Sequence, residues 1–138
     1  MTELYSAMSV SASGLRAQST RMKIISENLA NADTAATTPG GDPYRRKMVV
    51  FKDILDKRMG VEKVQVDRIV NDKKTPFTTK YMPDHPGADA NGYVKMPNVE
   101  SLMETMDMRE AQRSYEANLG MIEQSRNMVM QTIDILRR

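Results

Sequence analysis

Apolar residues recur every seven positions along the last forty residues of the chain. Counted back from the C-terminus, this column consists of Leu136, Val129, Ile122, Tyr115 and Met108. A heptad repeat keeps one apolar seam on one side of a helix, provided that the helix supercoils slightly around a partner. The positions three residues further on are small or polar throughout. The pattern predicts a long C-terminal helix that needs another helix to cover its seam.

Signals at both ends place this helix within residues 98–138. Asn98, or Ser101 with Glu104 three residues later, can cap the free N–H groups of its first turn. No proline follows residue 98, and Gly120 is the only glycine. At ~1.5 Å per residue the helix would be about 55 Å long, which is too long for the core of one small globule.

A second heptad column opens the chain. It consists of Met1, Met8, Leu15, Met22 and Leu29. The column predicts an N-terminal helix within residues 1–33, and we expect the two helices to pack on each other or on copies from neighbouring molecules. Periodicity fits an ordinary helical hairpin with a private core equally well. The more than sixty residues between the two helices argue against that hairpin, because it needs only a short loop.

Asn118 lies in the small column of the C-terminal seam. If it is buried there, it fixes the register of the helices at a cost in stability. If it is exposed, it is an ordinary polar residue of a helix surface. We treat Asn118 as a candidate register residue.

The middle segment, residues 34–97, combines short strand-like runs with polar connectors. Residues 44–51 and 63–70 are strand candidates, residues 78–82 are a weaker one, and residues 82–92 are typical of a loop with a turn at Asn91-Gly92. The segment has too few apolar residues to be stable alone. The predicted fold is mainly α, with long terminal helices that form a coiled-coil core domain and a small middle module that contains a β-hairpin.

The composition argues against most chemical functions. The chain is 40% hydrophobic and 5% aromatic, with thirteen Met, no Trp and no Cys. The lack of cysteine excludes disulfides, thiolate catalysis and Cys-based metal sites. His85, the single histidine, lies near Asp84 and Asp89 in a turn-rich loop, where the ligand count of a closed structural metal site is not reached. No serine-nucleophile or phosphate-loop pattern occurs. We therefore predict no enzyme, no catalytic residue, no cofactor and no metal.

The charge pattern leaves the partner of the middle segment open. The net charge of +2 is too small to indicate nucleic acid, although residues 45–80 hold eleven Lys or Arg against five Asp or Glu. This basic segment fits a solvated strand face or a contact with an acidic neighbouring subunit. Its aromatic residues form no recognised nucleic-acid motif. We expect no nucleic acid and no direct membrane insertion, because no run reaches the ~18 apolar residues of a membrane span. The first twenty residues lack the pattern of a cleaved signal peptide.

Several stretches resemble flagellar rod, hook and related axial proteins. The N-terminal ones are SASGLRAQ at residues 11–18 and SENLANADT at residues 26–34. The second stretch carries the family motif, namely Ser26, Asn28, Leu29, Ala30 and Asn31. The stretches GGDPYRRK (40–47), GYVKMPNV (92–99) and RSYEAN (113–118) are similar to the short proximal rod subunits of that family. The resemblance runs from end to end, apart from a longer polar stretch at residues 35–38.

The resemblance implies a structural subunit of the proximal rod of the bacterial flagellar basal body. In that family the terminal helices form a coiled-coil core that lines an axial tube, and the subunits polymerise across the periplasm. They are exported through the flagellar type III export apparatus without a cleaved signal peptide. The implied partners are copies of the chain, neighbouring rod subunits and that apparatus, and the two heptad columns are the expected assembly seam. The alternatives are a rod subunit at another axial level and a free-standing coiled-coil adaptor or export chaperone.

Overall fold

Along the chain, a long N-terminal helix is followed by four strands and then by a long C-terminal helix. The computed structural model describes residues 2–137; Met1 of the N-terminal column and Arg138 lie outside the described residues. The elements are α1 (Thr2–Ala30), β1 (Lys47–Asp56), β2 (Val61–Asn71), β3 (Thr78–Tyr81), β4 (Tyr93–Met96) and α2 (Ser101–Arg137). The prediction of a mainly α fold with small β-hairpins is confirmed. Within residues 2–137, neither helix has an apolar stretch of the length that a membrane crossing requires.

The family motif ends α1. The backbone N–H of Asn31 donates to the carbonyl oxygen of Glu27 at 3.2 Å, and the Asn31 side-chain amide donates to the same oxygen at 2.9 Å. The Thr34 hydroxyl donates in turn to Asn31 Oδ1 at 3.1 Å. These bonds satisfy a carbonyl group that the last turn of a helix leaves without a partner. These hydrogen bonds therefore fix the position at which α1 ends.

Strands β1 and β2 form a two-stranded antiparallel sheet. Gly60 closes its turn with a φ of +65° and donates its N–H to the Asp56 carbonyl oxygen at 2.8 Å. Lys63 Nζ lies 2.6 Å from Asp56 Oδ2, and this hydrogen bond is the main cause that lowers the pKa of the Asp56 carboxyl. Strand β1 begins three residues after the predicted start and runs five residues past the predicted end.

Strands β3 and β4 form a second antiparallel pair, in which Thr78 faces Met96 and Tyr81 faces Tyr93. The two tyrosine rings meet edge to face at 5.4 Å. Gly92 has a φ of +83°, and a Cβ there would lie 2.8 Å from the Tyr81 ring. Both the backbone angle and the close ring require glycine at this position. Strand β3 and the Asn91-Gly92 turn match the prediction, whereas β4 was missed.

The chain divides into two compact units. Unit 1 comprises Met1–Met22, Val50–Arg68 and Arg109–Arg138, and unit 2 comprises Lys23–Val49 and Ile69–Met108. Each helix therefore contributes residues to both units. The predicted division into residues 1–33, 34–97 and 98–138 stays a prediction.

Candidate assembly surface

Helices α1 and α2 run antiparallel and close together in unit 1. A Cβ on Gly14 would lie 2.7 Å from Asn118 Nδ2, and Arg21 Nη2 lies 3.4 Å from Glu110 Oε2. Moving seven residues back along α1 thus corresponds to eight residues forward along α2. The buried small residues of the described parts of these helices are Ser11, Gly14, Ala17, Ala111 and Ser125. The small column of α2 therefore faces inward.

The predicted seam residues lie at the margin of this packing. Eight of the nine are half-buried, and they are Met8, Leu15, Met22, Leu29, Met108, Tyr115, Ile122 and Val129. The ninth, Leu136, is 78% exposed. Each side chain keeps some uncovered surface, so the role of the seam in assembly stays a prediction.

Asn118 lies at a close contact between the two helices. Its side-chain amide donates to the carbonyl oxygen of Ser114 on the same helix at 2.9 Å, and its amide group lies against Gly14. The side chain is half-buried. It fills the space that the missing side chain of Gly14 leaves, which supports a register role through shape.

The heptad column did not predict a second apolar surface of α2. Nine of the 18 residues from 119 to 136 are apolar, and most of them lie outside the predicted column. Six of them lie in two stripes on opposite sides of the helix, and we name both stripes together the outer α2 face: Leu119, Met121, Met128, Met130, Ile133 and Ile135. Their side chains are between 38% and 74% exposed. Counting every apolar residue of this stretch, instead of following one heptad column, would have found them.

In unit 2, Asn28 of the family motif clamps the start of β1. Asn28 is 1% exposed. The Lys47 N–H donates to Asn28 Oδ1 at 2.9 Å, and Asn28 Nδ2 donates to the Lys47 carbonyl oxygen, also at 2.9 Å. The Tyr44 hydroxyl donates to the same Oδ1 at 2.9 Å. The side-chain amide thus pairs with Lys47 as a neighbouring strand would.

Asn98 forms a similar clamp on Arg46, the residue that precedes Lys47. The Arg46 N–H donates to Asn98 Oδ1 at 2.7 Å, and Asn98 Nδ2 donates to the carbonyl oxygens of Asp72 and Thr75 at 3.0 and 3.1 Å. The interpretation of Asn98 as a helix cap is wrong, because its side chain is used here and α2 begins at Ser101.

A buried ion pair lies beside the clamp. Glu104 is 1% exposed and accepts hydrogen bonds from Arg46 Nε and, at 3.2 Å, from Asn28 Nδ2. Arg46 also lies 3.8 Å from Asp72 and 3.7 Å from Asp107. A buried carboxylate is tolerated only when it is paired and hydrogen-bonded in this way.

The same cluster shifts the pKa values of two of its side chains, Asp72 and Tyr44. The side-chain hydroxyl of Thr75 donates to Asp72, as do the N–H groups of Thr75 and Lys74, and these bonds with the nearby Arg46 lower the pKa of Asp72. Burial, and then the charges of Glu27 and Glu104, raise the pKa of Tyr44. Tyr44 therefore stays a protonated donor to Asn28.

The loop with the single histidine is held by local bonds. His85 Nδ1 accepts a hydrogen bond from the Gly87 N–H at 3.0 Å, and Asp89 Oδ1 accepts from the N–H groups of Asn91 and Tyr93, both at 2.9 Å. No three His, Cys, Asp or Glu side chains converge on a metal position within residues 2–137.

Both ends of the chain match known protein families. Residues 8–35 match the family described as Flagella basal body rod protein, and residues 90–135 match the one described as Flagellar basal body rod FlgEFG protein C-terminal. The flagellar basal-body rod protein FlgC of Agrobacterium fabrum is 52% identical over 99% of this chain and 98% of its own length. The chain belongs to the FlgC family of flagellar basal-body rod proteins.

More distant FlgC proteins match over nearly the whole chain as well. FlgC of Bacillus subtilis is 40% identical over 98% of this chain and 99% of its own length. FlgC of Salmonella typhimurium is 38% identical over 96% of this chain and 97% of its own length. As a member of this family, the chain is a structural subunit of the flagellar basal-body rod. The Asn28 clamp residue lies in the first matched region, and the outer α2 face lies in the second.

Proposed function

We propose that the chain polymerises in the proximal rod through its terminal helices and performs no catalysis. The outer α2 face carries this proposal, because a helix that is apolar on several sides is expected to be surrounded by other protein. On an isolated chain, six large apolar side chains at least 38% exposed form a contact surface without a partner.

The spacing of the outer α2 face supports coiled-coil contacts with neighbouring subunits. Met121, Met128 and Ile135 repeat every seven residues, and Leu119 and Ile133 are two heptads apart. Methionine adapts its shape to dissimilar partners, which suits contacts with copies of the chain and with other rod subunits. Complete burial of one such side chain contributes about 1.5–3 kcal/mol, so a few of them per contact offset the cost of association.

We also propose a route by which the chain is exported to the rod. The chain crosses the inner membrane through the flagellar type III export apparatus and reaches the periplasmic part of the basal body with its N-terminus uncleaved. The family resemblance supports this route. The intact mass of the protein recovered from basal bodies tests it, since a shortened N-terminus contradicts the proposal.

Substitutions on the outer α2 face test the assembly role. Met128→Glu and Ile133→Glu each place a charge on the proposed contact. We expect either variant to be depleted from isolated basal bodies about tenfold or more, which corresponds to about 1.4 kcal/mol or more of lost association energy.

A matched control separates this effect from misfolding. Gln112→Glu adds the same charge at an exposed polar position of α2 and should leave the amount in basal bodies unchanged. Helix content by circular dichroism should be the same for all three variants, because the two apolar positions are at least 38% exposed. Normal amounts of both Met128→Glu and Ile133→Glu in basal bodies would contradict the proposal.

A further inference from the structure

The last two turns of α2 extend beyond the described start of α1. The contacts of Gly14 with Asn118 and of Arg21 with Glu110 set the antiparallel register. Extended along α1, this register places Thr2 opposite about residue 130. We name residues 131–137 the α2 overhang; at ~1.5 Å per residue it is about 10 Å long. The exposure of its side chains agrees with this register, since Ile135 and Leu136 are 74% and 78% exposed.

An open groove lies at the same end of unit 1. It measures about 550 Å³ and lies between the first turns of α1, the β1–β2 turn and α2. We name it the terminal groove. Its apolar lining consists of Ala7, Val10, Met59, Val61 and Met121. Glu3 lies at its edge with an exposed carboxylate. The groove is suited to an apolar segment that carries a positive charge.

We propose that the α2 overhang of a second copy of the chain occupies the terminal groove. The overhang presents Ile133 and Leu136 for the apolar lining and Arg137 for Glu3, since residues three and four apart lie on one side of a helix. The groove cannot be filled by the overhang of its own chain. α2 is one continuous helix to residue 137, and its last turns lie beyond Thr2, whereas the groove lies beside residues 2–11.

This arrangement sets the relation between neighbouring subunits. The groove is centred near Ala7 on α1, opposite about residue 125 of α2 in the register given above. The overhang is centred about nine residues further along α2. A parallel neighbour therefore reaches the groove when it is shifted along the helix axis by about 13 Å. A groove and an overhang are different surfaces, so the contact is heterologous and repeats as an open helical polymer instead of closing a dimer.

The lack of cysteine makes this contact directly testable in assembled rods. The inference rests on the proposed function, so the experiment uses cells that lack the wild-type copy and make two single-cysteine variants together. One copy carries Ala7→Cys and the other carries Ile133→Cys. A short thiol cross-linker is applied to isolated basal bodies, and cross-linked peptides are identified by mass spectrometry. We expect covalent dimers that join positions 7 and 133, several-fold more abundant than those from Ala7→Cys paired with Gln112→Cys.

The outcomes separate the inference from the proposed function. If both variants are present in basal bodies and no dimer forms, or if position 133 cross-links only to a different protein, the second copy is not the occupant and the rod role still stands. If the wild-type chain is missing from basal bodies isolated from unmodified cells, the proposed function itself fails.

Charge reversal provides a second measurement that needs no cysteine. Glu3→Arg and Arg137→Glu should each lower the amount of chain in basal bodies several-fold, and the double variant should restore it. If the double variant is as depleted as the singles, or if neither single variant is depleted, the pairing of groove and overhang is overturned.

Discussion

Asn28 takes the place of a partner strand at the point where the chain enters β1. Its side chain accepts from the Lys47 N–H and donates to the Lys47 carbonyl oxygen, and it also bonds Tyr44 and Glu104. Few side chains carry a donor and an acceptor side by side at this length. The physical requirement for asparagine at this motif position is therefore clear.

Asn28→Asp tests this requirement with almost no change in shape. A carboxylate cannot donate to Lys47 and adds a second negative charge beside the buried Glu104. We expect a loss of about 2–4 kcal/mol in the free energy of unfolding, measured with urea. The control is Ser26→Asp, an exposed position of the same motif, which should change stability by less than about 0.5 kcal/mol. Equal stability of the two variants would refute the clamp.

The pKa of Asp72 gives a pH-dependent prediction. A carboxyl group whose pKa is lowered in the folded state stabilises the fold above its ordinary pKa, and this contribution is lost as the pH falls through the lowered value. Asp72→Asn should cost about 1–2 kcal/mol at neutral pH, because the amide nitrogen cannot accept the Thr75 hydroxyl. The difference from wild type should shrink at about pH 3.

Urea unfolding at the two pH values measures that difference. Asp84→Asn, in an exposed loop position, serves as the control and should leave stability nearly unchanged at both. A difference between Asp72→Asn and wild type that is the same size at both pH values would contradict the linkage.

At the scale of the elements, two helical glycines give opposite predictions. A Cβ at Gly14 would lie 2.7 Å from Asn118 Nδ2, whereas a Cβ at Gly120 would have nothing within 4 Å. Gly120→Ala should stabilise the chain by about 0.5–1 kcal/mol through helix propensity. Gly14→Ala gains the same propensity, but we expect overpacking of about 1–3 kcal/mol to outweigh it.

Thermal unfolding of both variants checks this pair. Adding Asn118→Ala to Gly14→Ala removes the obstructing amide and should restore much of the lost stability. If Gly14→Ala is as stabilising as Gly120→Ala, the helices are not in close contact at this position.

The sequence predicted the two helices well, because heptad columns that each span 29 residues are a strong local signal. It misread Asn98, since capping preferences are local, while the partners Arg46 and Asp72 lie 52 and 26 residues away. Strand β4 was missed because four residues show no clear period, and the burial of Val94 depends on contacts distant in sequence. The outer α2 face was missed because only one apolar column was followed.

The structure changes the picture of the basic middle segment as well. Five of its eleven basic residues lie within 4 Å of acidic groups of the chain, and they are Arg46, Lys47, Lys52, Lys63 and Arg68. Arg45 lies over the Phe77 ring at 4.3 Å. Of these five, only Arg46 and Lys47 pair with acidic residues outside residues 45–80. Most of the charge excess therefore remains, and both the solvated strand face and the acidic neighbour stay predictions.

At the scale of the whole molecule, the chain is short of private core. Among the described residues, the buried apolar side chains are Ala17, Ile24, Ile25, Ala36, Val94 and Ala111. Half of them are alanine, whereas the large apolar side chains of the last turns of α2 are exposed. A chain of this kind buries its largest apolar surface only when it meets other subunits. We therefore expect the outer α2 face to be covered by neighbouring subunits in the rod.

Methionine footprinting measures that coverage most directly. The free subunit and isolated basal bodies are exposed briefly to hydrogen peroxide, and sulfoxide formation is quantified at Met121, Met128 and Met130. These side chains are 53%, 38% and 53% exposed in the single chain, so all three should oxidise readily in the free subunit. We expect strong protection of all three methionines in basal bodies. Equal oxidation in both samples would show that the outer α2 face stays open to solvent in the rod, and would contradict assembly through it.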